Sequence, residues 1–401
     1  MSIKKKILFV DDERYVLDGL RRMLRPMRNE WEMIFVESGE DAIEQLDRAH
    51  FDVLVSDMRM PGIGGAELLN LAMAKHPCTV RLILSGYADE SSVMECVNAT
   101  HQFLAKPCDP EILRRTIERA CLIEERSRDA RIMAITTRLD RLPSIPVVYD
   151  QLLAKMRDPD ATIETVAAVI SRDPAMCAKI LKLVNSAFFG LRRHVTDLAD
   201  AVNFLGIETI RSLTLSIHAF TQFEAPLISV IDFEGLWNHS IQAAGGARAI
   251  AESHTTNTAC HGEAFTAGLL HDMGRLVLAA NFPEASQHAA AAVQSDGLTL
   301  IEAERKLIGF DHAEVGAALF ALWGLPEVIV ECVAHHHEPS ATDTREVGPL
   351  TFLHLADSWL ESESRHNCRS LDRRHLQMID ATNLQAWENA FLAATGTPLQ
   401  R

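Results

Sequence analysis

The sequence predicts a multidomain protein in which an α/β domain with a doubly wound, five-stranded parallel sheet is joined by a long helix to an all-α domain. Three observations support this fold class. Near the N-terminus, five short apolar runs alternate with longer segments, which is typical of strands and crossover helices. Residues 111–142 contain neither Gly nor Pro. Beyond them, the apolar residues recur with helical spacing.

Composition and charge restrict the class of protein. With 401 residues, 47% hydrophobic and 23% charged, the chain has the composition of a soluble globular protein. Its net charge of −16 argues against general nucleic-acid binding, which needs clustered Lys and Arg. No signal-peptide core and no run of about 20 apolar residues occurs, so we expect no membrane association. The eight cysteines include no C-x-x-C pair, which favours reduced thiols and a cytoplasmic location.

The five apolar runs of the first domain predict buried parallel strands, because such strands are covered by helices on both faces. The runs are ILFV (7–10), MIFV (33–36), DVLVS (52–56), RLILS (81–85) and QFLA (102–105). In doubly wound sheets, functional residues gather beyond the carboxyl ends of the strands. The candidates at this edge are Asp11, Asp12, Asp57, Ser85 and Lys106.

The residue types at this edge indicate phosphoryl chemistry. Three neighbouring carboxylates repel one another and favour Mg²⁺, a hard cation that takes oxygen ligands. With Mg²⁺ and Lys106 neutralising a phosphoryl group, one carboxylate can act as a nucleophile and form an aspartyl phosphate. We predict that Asp57 is this nucleophile.

Residues 1–122 resemble the receiver domain of bacterial two-component response regulators. Four motifs carry the resemblance: VDDE (10–13), SDMRMPG (56–62), LSGYAD (84–89) and LAKPCD (104–109). The resemblance implies that Asp57 accepts a phosphoryl group from a histidine kinase or a phosphotransfer protein. It also implies that Asp11, Asp12 and Asp57 bind Mg²⁺ together with the backbone carbonyl of Arg59.

Three further receiver positions are implied by the same resemblance. Ser85 would contact the phosphoryl oxygens, and Lys106 would pair with them. Phe103 matches the aromatic position whose side chain switches with phosphorylation.

The long segment after the receiver-like part is predicted to be helical. Asp109 is a suitable N-cap, and Pro110 suits the first position of a helix. We divide the chain into residues 1–122, a helical linker at 123–140, and an all-α domain with a C-terminal helical tail at 141–401. The linker could be a simple solvated helix or a coiled coil that forms a homodimer. The charged stretch at 124–131 would interrupt the apolar seam of such a coiled coil.

The helical domain contains a set of histidines and acids in apolar, helical surroundings. The set comprises His239, His271, Asp272, His312, His336, His337 and Asp357. Helical domains build metal sites from inward-facing side chains of this kind on neighbouring helices. The alternative is a metal-free core in which the His271–Asp272 pair forms buried hydrogen bonds.

Several stretches of this domain resemble the HDOD domain, an HD-related output domain of bacterial regulators. They are LPSIPVVYDQLLAKM (142–156), ISRDPAMCAKILKLVNSAFFG (170–190), AVNFLGIETIRSL (201–213), GFDHAEVGAALFALWGLP (309–326) and HHEP (336–339). The resemblance implies that His239, His271, Asp272 and Asp357 occupy the metal-ligand positions of the HD phosphohydrolases. These side chains could hold a transition-metal ion.

A related branch, the HD-GYP phosphodiesterases that hydrolyse cyclic di-GMP, has additional metal ligands, which His312, His336 and His337 match. The sequence departs from the active enzymes at three points. Arg275 replaces a lysine, Gly235 replaces a glutamate ligand, and the G-Y-P motif is absent. We therefore expect a non-enzymatic signalling output that binds a protein or nucleotide partner. The alternative is a receiver-controlled phosphohydrolase acting on a cyclic dinucleotide.

Overall fold

The computed structural model defines two compact units, one formed mainly by residues before 142 and the other mainly by later residues. The described residues are 4–86, 99–126, 131–132, 135–136, 151–152, 155, 162–185, 195–204, 232–342, 344–363, 371–379 and 383–396.

The first unit contains a parallel sheet of five strands in the order β2-β1-β3-β4-β5. The strands are β1 (Lys5–Val10), β2 (Trp31–Val36), β3 (Val53–Asp57), β4 (Val80–Ser85) and β5 (Gln102–Ala105). The helices described in this unit are α1 (Arg14–Met23), α2 (Gly39–Arg48), α3 (Gly65–Lys75) and α4 (Pro110–Arg126). The five-stranded doubly wound sheet predicted from the apolar runs is therefore confirmed.

Strand register places the candidate residues at one edge of the sheet. Val10 pairs with Ser56, so Asp11 and Asp57 are the next residues on adjacent strands. Ser85 is the last residue of β4 and pairs with Ala105, which precedes Lys106. The central strands are almost fully buried, because helices cover both faces of the sheet.

The predicted helix after the sheet begins where its capping residues indicate. The Asp109 carboxylate accepts a hydrogen bond of 2.7 Å from the Glu111 amide, and α4 then extends to Arg126. Residues 127–130, 133–134 and 137–142 lie outside the described residues. The continuity of the predicted helix to residue 142 and its role in a homodimer therefore remain predictions.

The second unit is helical in its described part. Its helices are α5 (Ile163–Ile170), α6 (Pro174–Val184), α7 (Phe233–His254), α8 (Thr258–Leu270), α9 (Met273–Asn281), α10 (Pro283–Ser295), α11 (Leu300–Leu307), α12 (His312–Leu322), α13 (Glu327–His335), α14 (Pro349–Glu363), α15 (Arg373–Met378) and α16 (Leu384–Thr395). The all-α prediction is confirmed. No helix among the described residues is long and apolar enough to cross a membrane.

Small residues allow the central helices α7, α8 and α14 to pack closely. A Cβ atom at Gly268 would lie only 2.6 Å from the Cα of Ala244, so this α7–α8 contact requires glycine. On the other side of α7, Phe352 of α14 packs with Trp387 and Phe391 of α16 in one buried cluster. The C-terminal helix is thus part of the core that supports α7 and α14.

Candidate functional site

The carboxyl edge of the sheet holds two buried aspartates bridged by a lysine. Asp11 and Asp57 are only 2% and 7% exposed. The ammonium group of Lys106 lies 2.5 Å from Asp11 Oδ2 and forms a second hydrogen bond with Asp57 Oδ1. The backbone N–H of Arg59 donates to the other Asp57 oxygen at 2.7 Å. Both oxygens of Asp57 are therefore held by donors.

The electrostatics of this pocket favour a positive charge between the carboxylates. Burial raises the pKa of Asp11, although its hydrogen bond with Lys106 opposes that change. Burial would lower the pKa of Lys106, but its hydrogen bonds with Asp11 and Asp57 raise it above the ordinary value. Lys106 therefore remains protonated and offsets the repulsion between the two aspartates.

The remaining residues predicted at this edge lie close in the fold but differ in exposure. Asp12 is exposed next to Asp11, and Ser85 is half-buried at the end of β4. The Ser85 carbonyl accepts a hydrogen bond of 2.7 Å from the Lys106 amide, which fixes the lysine backbone beside β4. Phe103 is only 3% exposed, with its side chain inside the unit. The carboxylate oxygens present are suitable ligands for Mg²⁺.

Sequence reasoning missed one residue that shapes the pocket. A Cβ atom at Gly65 would lie 2.0 Å from the backbone oxygen of Asp57. Only glycine allows the first residue of α3 to approach Asp57 so closely. The two consecutive glycines in PGIGG (61–65) were the available sequence signal.

In the helical unit, all seven predicted histidines and acids lie in one cluster, which we call the histidine cluster; five of them are buried, and His239 and His337 are half-buried. Five of its seven residues are at helix boundaries. His239 lies on α7, His271 and Asp272 join α8 to α9, His312 begins α12, His336 and His337 follow α13, and Asp357 lies on α14.

One part of the histidine cluster is centred on Asp357. Its Oδ1 lies 2.9 Å from His239 Nε2 and 3.5 Å from His271 Nε2. The two imidazole Nε2 atoms are 3.3 Å apart. On the other side of Asp357, Oδ2 lies 3.6 Å from His337 Nδ1. The carboxylate therefore faces histidines from three separate chain segments.

A second part of the cluster is centred on His312. Its Nε2 lies 3.0 Å from His337 Nε2 and 3.3 Å from Asp272 Oδ1. Asp272 also faces His271, at 3.7 Å, so it connects the two parts of the cluster. The second oxygen of Asp272 accepts a hydrogen bond of 2.8 Å from Arg275.

Three histidines of the cluster share an arrangement that is common among metal ligands. Hydrogen bonds hold the Nδ1 atoms of His271 and His336 at the carbonyls of Gly268 and Val333, at 2.7 and 2.8 Å. The Nδ1 atom of His312 is held at 2.7 Å by a Glu304 carboxylate oxygen. A partner at Nδ1 fixes the ring orientation and leaves Nε2 as the ring nitrogen that faces the cluster.

A metal ion fits the donor set. The buried Nε2 of His336 and Oδ2 of Asp357 have no hydrogen-bond partner among the described residues, which is costly for buried polar atoms. Their residues belong to groups of three whose ligand atoms lie within 4.8 Å of one another. These groups are His312–His336–His337, His239–His271–Asp357 and His271–Asp272–His336. Imidazole and carboxylate together suit several transition metals.

The ionisation of the cluster is divided between its histidines. Burial opposes charge on His271 and His312, but nearby carboxylates, Asp272 for the first and Glu304 for the second, raise both pKa values to about 9. Burial lowers the pKa of His337 to about 3 and that of His336 well below its ordinary value. His336 and His337 are therefore neutral, which leaves lone pairs for a metal.

Two residues that support the cluster were missed from the sequence. Glu304 of α11 is 4% exposed and binds both Nδ1 and the backbone N–H of His312. Gly274 of α9 is required because a Cβ atom there would lie 1.9 Å from the His312 carbonyl oxygen. Gly274 lies two residues after Asp272 in the stretch HDMG (271–274), but nothing in the local sequence distinguishes Glu304 from a surface acid.

Comparisons with known proteins divide the chain in the same order as the fold. The family model of the response regulator receiver domain matches residues 7–118, and that of the HDOD domain matches residues 142–339. An uncharacterized protein of Treponema pallidum (strain Nichols) is 28% identical over 266 residues, which are 62% of this chain and 49% of that protein. The chain thus spans about half the length of this relative.

A cyclic di-GMP phosphodiesterase of Thermotoga maritima is 31% identical over 115 residues, but the match covers 28% of this chain and 30% of that enzyme. The similarity is confined to the receiver part. Among solved structures, the MmoQ response regulator from Methylococcus capsulatus is 28% identical, with a TM-score of 0.45, and covers 60% of this chain and 98% of that chain.

Proposed function

The chain is a response regulator with a receiver domain and an HDOD domain, and we propose that phosphorylation of Asp57 controls a non-catalytic output of the HDOD domain. In this proposal the HDOD domain binds a protein or nucleotide partner without turning it over. The observation that carries the proposal is the pocket in which Lys106 and the Arg59 amide hold both oxygens of the Asp57 carboxylate.

The pocket suits phosphoryl transfer from a phosphohistidine. An Asp57 oxygen attacks phosphorus, the P–N bond to the donor imidazole breaks, and that nitrogen recovers a proton from solvent. In this proposal Lys106 and the Arg59 N–H would stabilise negative charge on the transferred group. Asp11, Asp12, Asp57 and the Arg59 carbonyl would hold Mg²⁺, which supplies further charge neutralisation.

Two residues favour an output without turnover. Arg275 donates to Asp272 at 2.8 Å, so its guanidinium competes with a metal ion for that carboxylate. An arginine does not replace a lysine ammonium group, because it stays charged and has a planar donor geometry. Gly235, at the position of a glutamate ligand in the phosphodiesterases, is exposed, and its amide donates at 2.9 Å to the carboxylate of Asp232, which caps α7.

The second candidate function is metal-dependent hydrolysis of a phosphodiester such as a cyclic dinucleotide. The convergence of seven side chains of metal-ligating types favours it, together with the Nε2 of His336, for which the described residues supply no hydrogen-bond partner. A bound metal would supply an activated water and neutralise phosphate charge. Ligand types alone do not place that water for attack, so this function remains second.

The receiver assignment is tested by phosphorylation. We expect acetyl phosphate with Mg²⁺ to label the parent protein at Asp57, and Asp57→Ala to abolish the labelling because the acceptor oxygen is removed. Asp47→Ala removes an exposed aspartate of α2 and should label like the parent. Intact-protein mass spectrometry measures both. Labelling of Asp57→Ala at the parental level would overturn the assignment.

The output is tested by metal analysis and a phosphodiesterase screen on the full chain. We expect bound Zn²⁺ or Mn²⁺ in the parent, loss of that metal in His271→Ala, and little or no hydrolysis of cyclic di-GMP by either protein. Elemental analysis and chromatography of the nucleotide products provide the measurements. Rapid metal-dependent hydrolysis that disappears in His271→Ala would establish the second candidate instead.

A further inference from the structure

The structure points to a positioning device behind the histidine cluster, formed by His354 and Asp372. We propose that these two residues hold the segment 336–340 so that the Nε2 of His336 faces the metal position. Both residues lie beyond residue 339, where the match to the HDOD model ends. The inference rests on the metal site of the proposed function and assigns the residues that control its affinity.

The segment that follows α13 needs an external support. His336 is the C-cap residue that follows α13, and its ring is fixed by the hydrogen bond from Nδ1 to the Val333 carbonyl. The direction in which Nε2 points then depends on the backbone of His336. That backbone continues into the short turn Pro339–Ala341, which has only three residues. A turn of this length has few internal bonds to hold its position.

His354 provides the first support. It lies on α14 one turn before Asp357, so both side chains project from one side of that helix. His354 is fully buried, and its Nδ1–H donates to the carbonyl oxygen of His336 at 2.7 Å. One helix therefore contributes a carboxylate to the cluster and a hydrogen bond that fixes a neighbouring ligand.

Asp372 provides the second support and ties it to the C-terminal part of the chain. Its backbone N–H donates to His354 Nε2 at 2.8 Å, which makes His354 a neutral imidazole with one donor and one acceptor. Its carboxylate accepts hydrogen bonds from the Ser340 amide at 2.8 Å and from the His375 amide at 3.0 Å. Asp372 thus joins the Ser340 end of the segment directly, and the His336 end through His354, to the start of α15.

This geometry separates His354 from a residue that only stabilises the core. Thr351, one turn earlier on α14, makes a buried hydrogen bond of 2.9 Å with His375 of α15. That bond also joins α14 to the C-terminal part, but it holds the His375 ring and makes no direct contact with segment 336–340. Thr351 therefore offers a matched control for loss of a buried polar contact on the same helix.

The test compares three variants of the full chain. His354→Phe keeps a planar ring but removes both hydrogen bonds. His354→Gln restores one donor and one acceptor, and Thr351→Val removes the control hydrogen bond. Zn²⁺ affinity is measured by competition with a chelating dye. Hydrogen exchange of the amides from His336 to Thr342 is measured in metal-free protein, and melting curves report overall stability.

We expect His354→Phe to weaken Zn²⁺ binding by roughly 10- to 100-fold, the usual effect of losing an outer hydrogen bond of a metal ligand. The same variant should speed exchange in segment 336–342. His354→Gln should recover most of both properties, and Thr351→Val should lower the melting temperature while leaving both unchanged. Equal loss of Zn²⁺ affinity in His354→Phe and Thr351→Val would overturn the positioning role.

Failure of the metal site itself gives a distinct result. If the parent takes up no Zn²⁺, the proposed metal site is wrong. Hydrogen exchange in the metal-free protein still tests whether His354 and Asp372 hold segment 336–340. Unchanged exchange from His336 to Thr342 in His354→Phe would overturn the inference in that case as well.

Discussion

At the scale of single residues, the geometry of the histidine cluster depends on Gly274, which is not itself a candidate ligand. Gly274 brings the first turn of α9 against the backbone of His312, which carries a neighbouring ligand position. Asp272 and Arg275 flank this contact, and they are joined by a hydrogen bond of 2.8 Å. The close approach of α9 to α12 thus places Asp272 within reach of His312.

We expect Gly274→Ala to destabilise the helical domain by about 1–3 kcal/mol, because the new Cβ would force two backbones apart. Gly245→Ala is the matched control, since it lies in α7 with no atom within 4 Å of the added Cβ. The control should stabilise the domain by about 0.5–1 kcal/mol through the helix preference for Ala. Urea unfolding followed by circular dichroism measures both. Unchanged stability in Gly274→Ala, or a gain like that of the control, would contradict the packing argument.

Residue types predicted part of the site and could not predict the rest. The sequence identified the seven histidines and acids because their residue types and a family motif mark them. It did not identify Glu304 or His354, whose roles arise from contacts with residues 8 and 18 positions away in the chain. An acid on α11 and a histidine on α14 have no local feature that distinguishes these roles. Only the packing of their helices reveals their partners.

At the scale of elements, the sheet was more predictable than the helical arrangement. Parallel strands that are buried on both faces have continuous apolar sequences. The number of strands and the residues at their carboxyl ends could therefore be predicted from the apolar runs. Helical spacing gives each helix but not its neighbours. His239 on α7 and Asp357 on α14 are 118 positions apart, yet their side chains meet at 2.9 Å.

The residues that join α7 and α14 are small or come from the C-terminal part of the chain. A Cβ at Gly246 would lie 3.3 Å from the Ala356 Cβ and 2.6 Å from the Phe391 ring. Phe391 is fully buried on α16, within a segment that the sequence identified only as a helical tail. The tail is thus part of the core that brings His239 and Asp357 together, which apolar spacing alone does not specify.

At the scale of the whole molecule, the proposed control requires a free-energy coupling between Asp57 and the histidine cluster. A phosphoryl group at Asp57 can alter the HDOD domain only if two states of the protein differ in affinity for it. Coupling of this kind is reciprocal for equilibrium binding. A ligand of the receiver and a ligand of the HDOD domain must change each other's affinity by the same factor.

We therefore expect beryllofluoride with Mg²⁺, which mimics the phosphoryl group at Asp57, to change Zn²⁺ affinity of the histidine cluster by roughly 5- to 150-fold, the range of typical coupling. Zn²⁺ should change the affinity for beryllofluoride by an equal factor in the same direction.

Calorimetric titrations of each ligand, with and without the other, measure both factors. In Asp57→Ala, beryllofluoride should leave Zn²⁺ binding unchanged, because the carboxylate that it must bind is absent. Because the two factors must be equal at equilibrium, unequal factors would mean that a further equilibrium, such as Zn²⁺ replacing Mg²⁺ at the receiver, contributes to the titrations. If neither ligand changes the affinity for the other, phosphorylation of Asp57 does not alter the Zn²⁺ affinity of the histidine cluster. Control of this site by Asp57 would then be wrong.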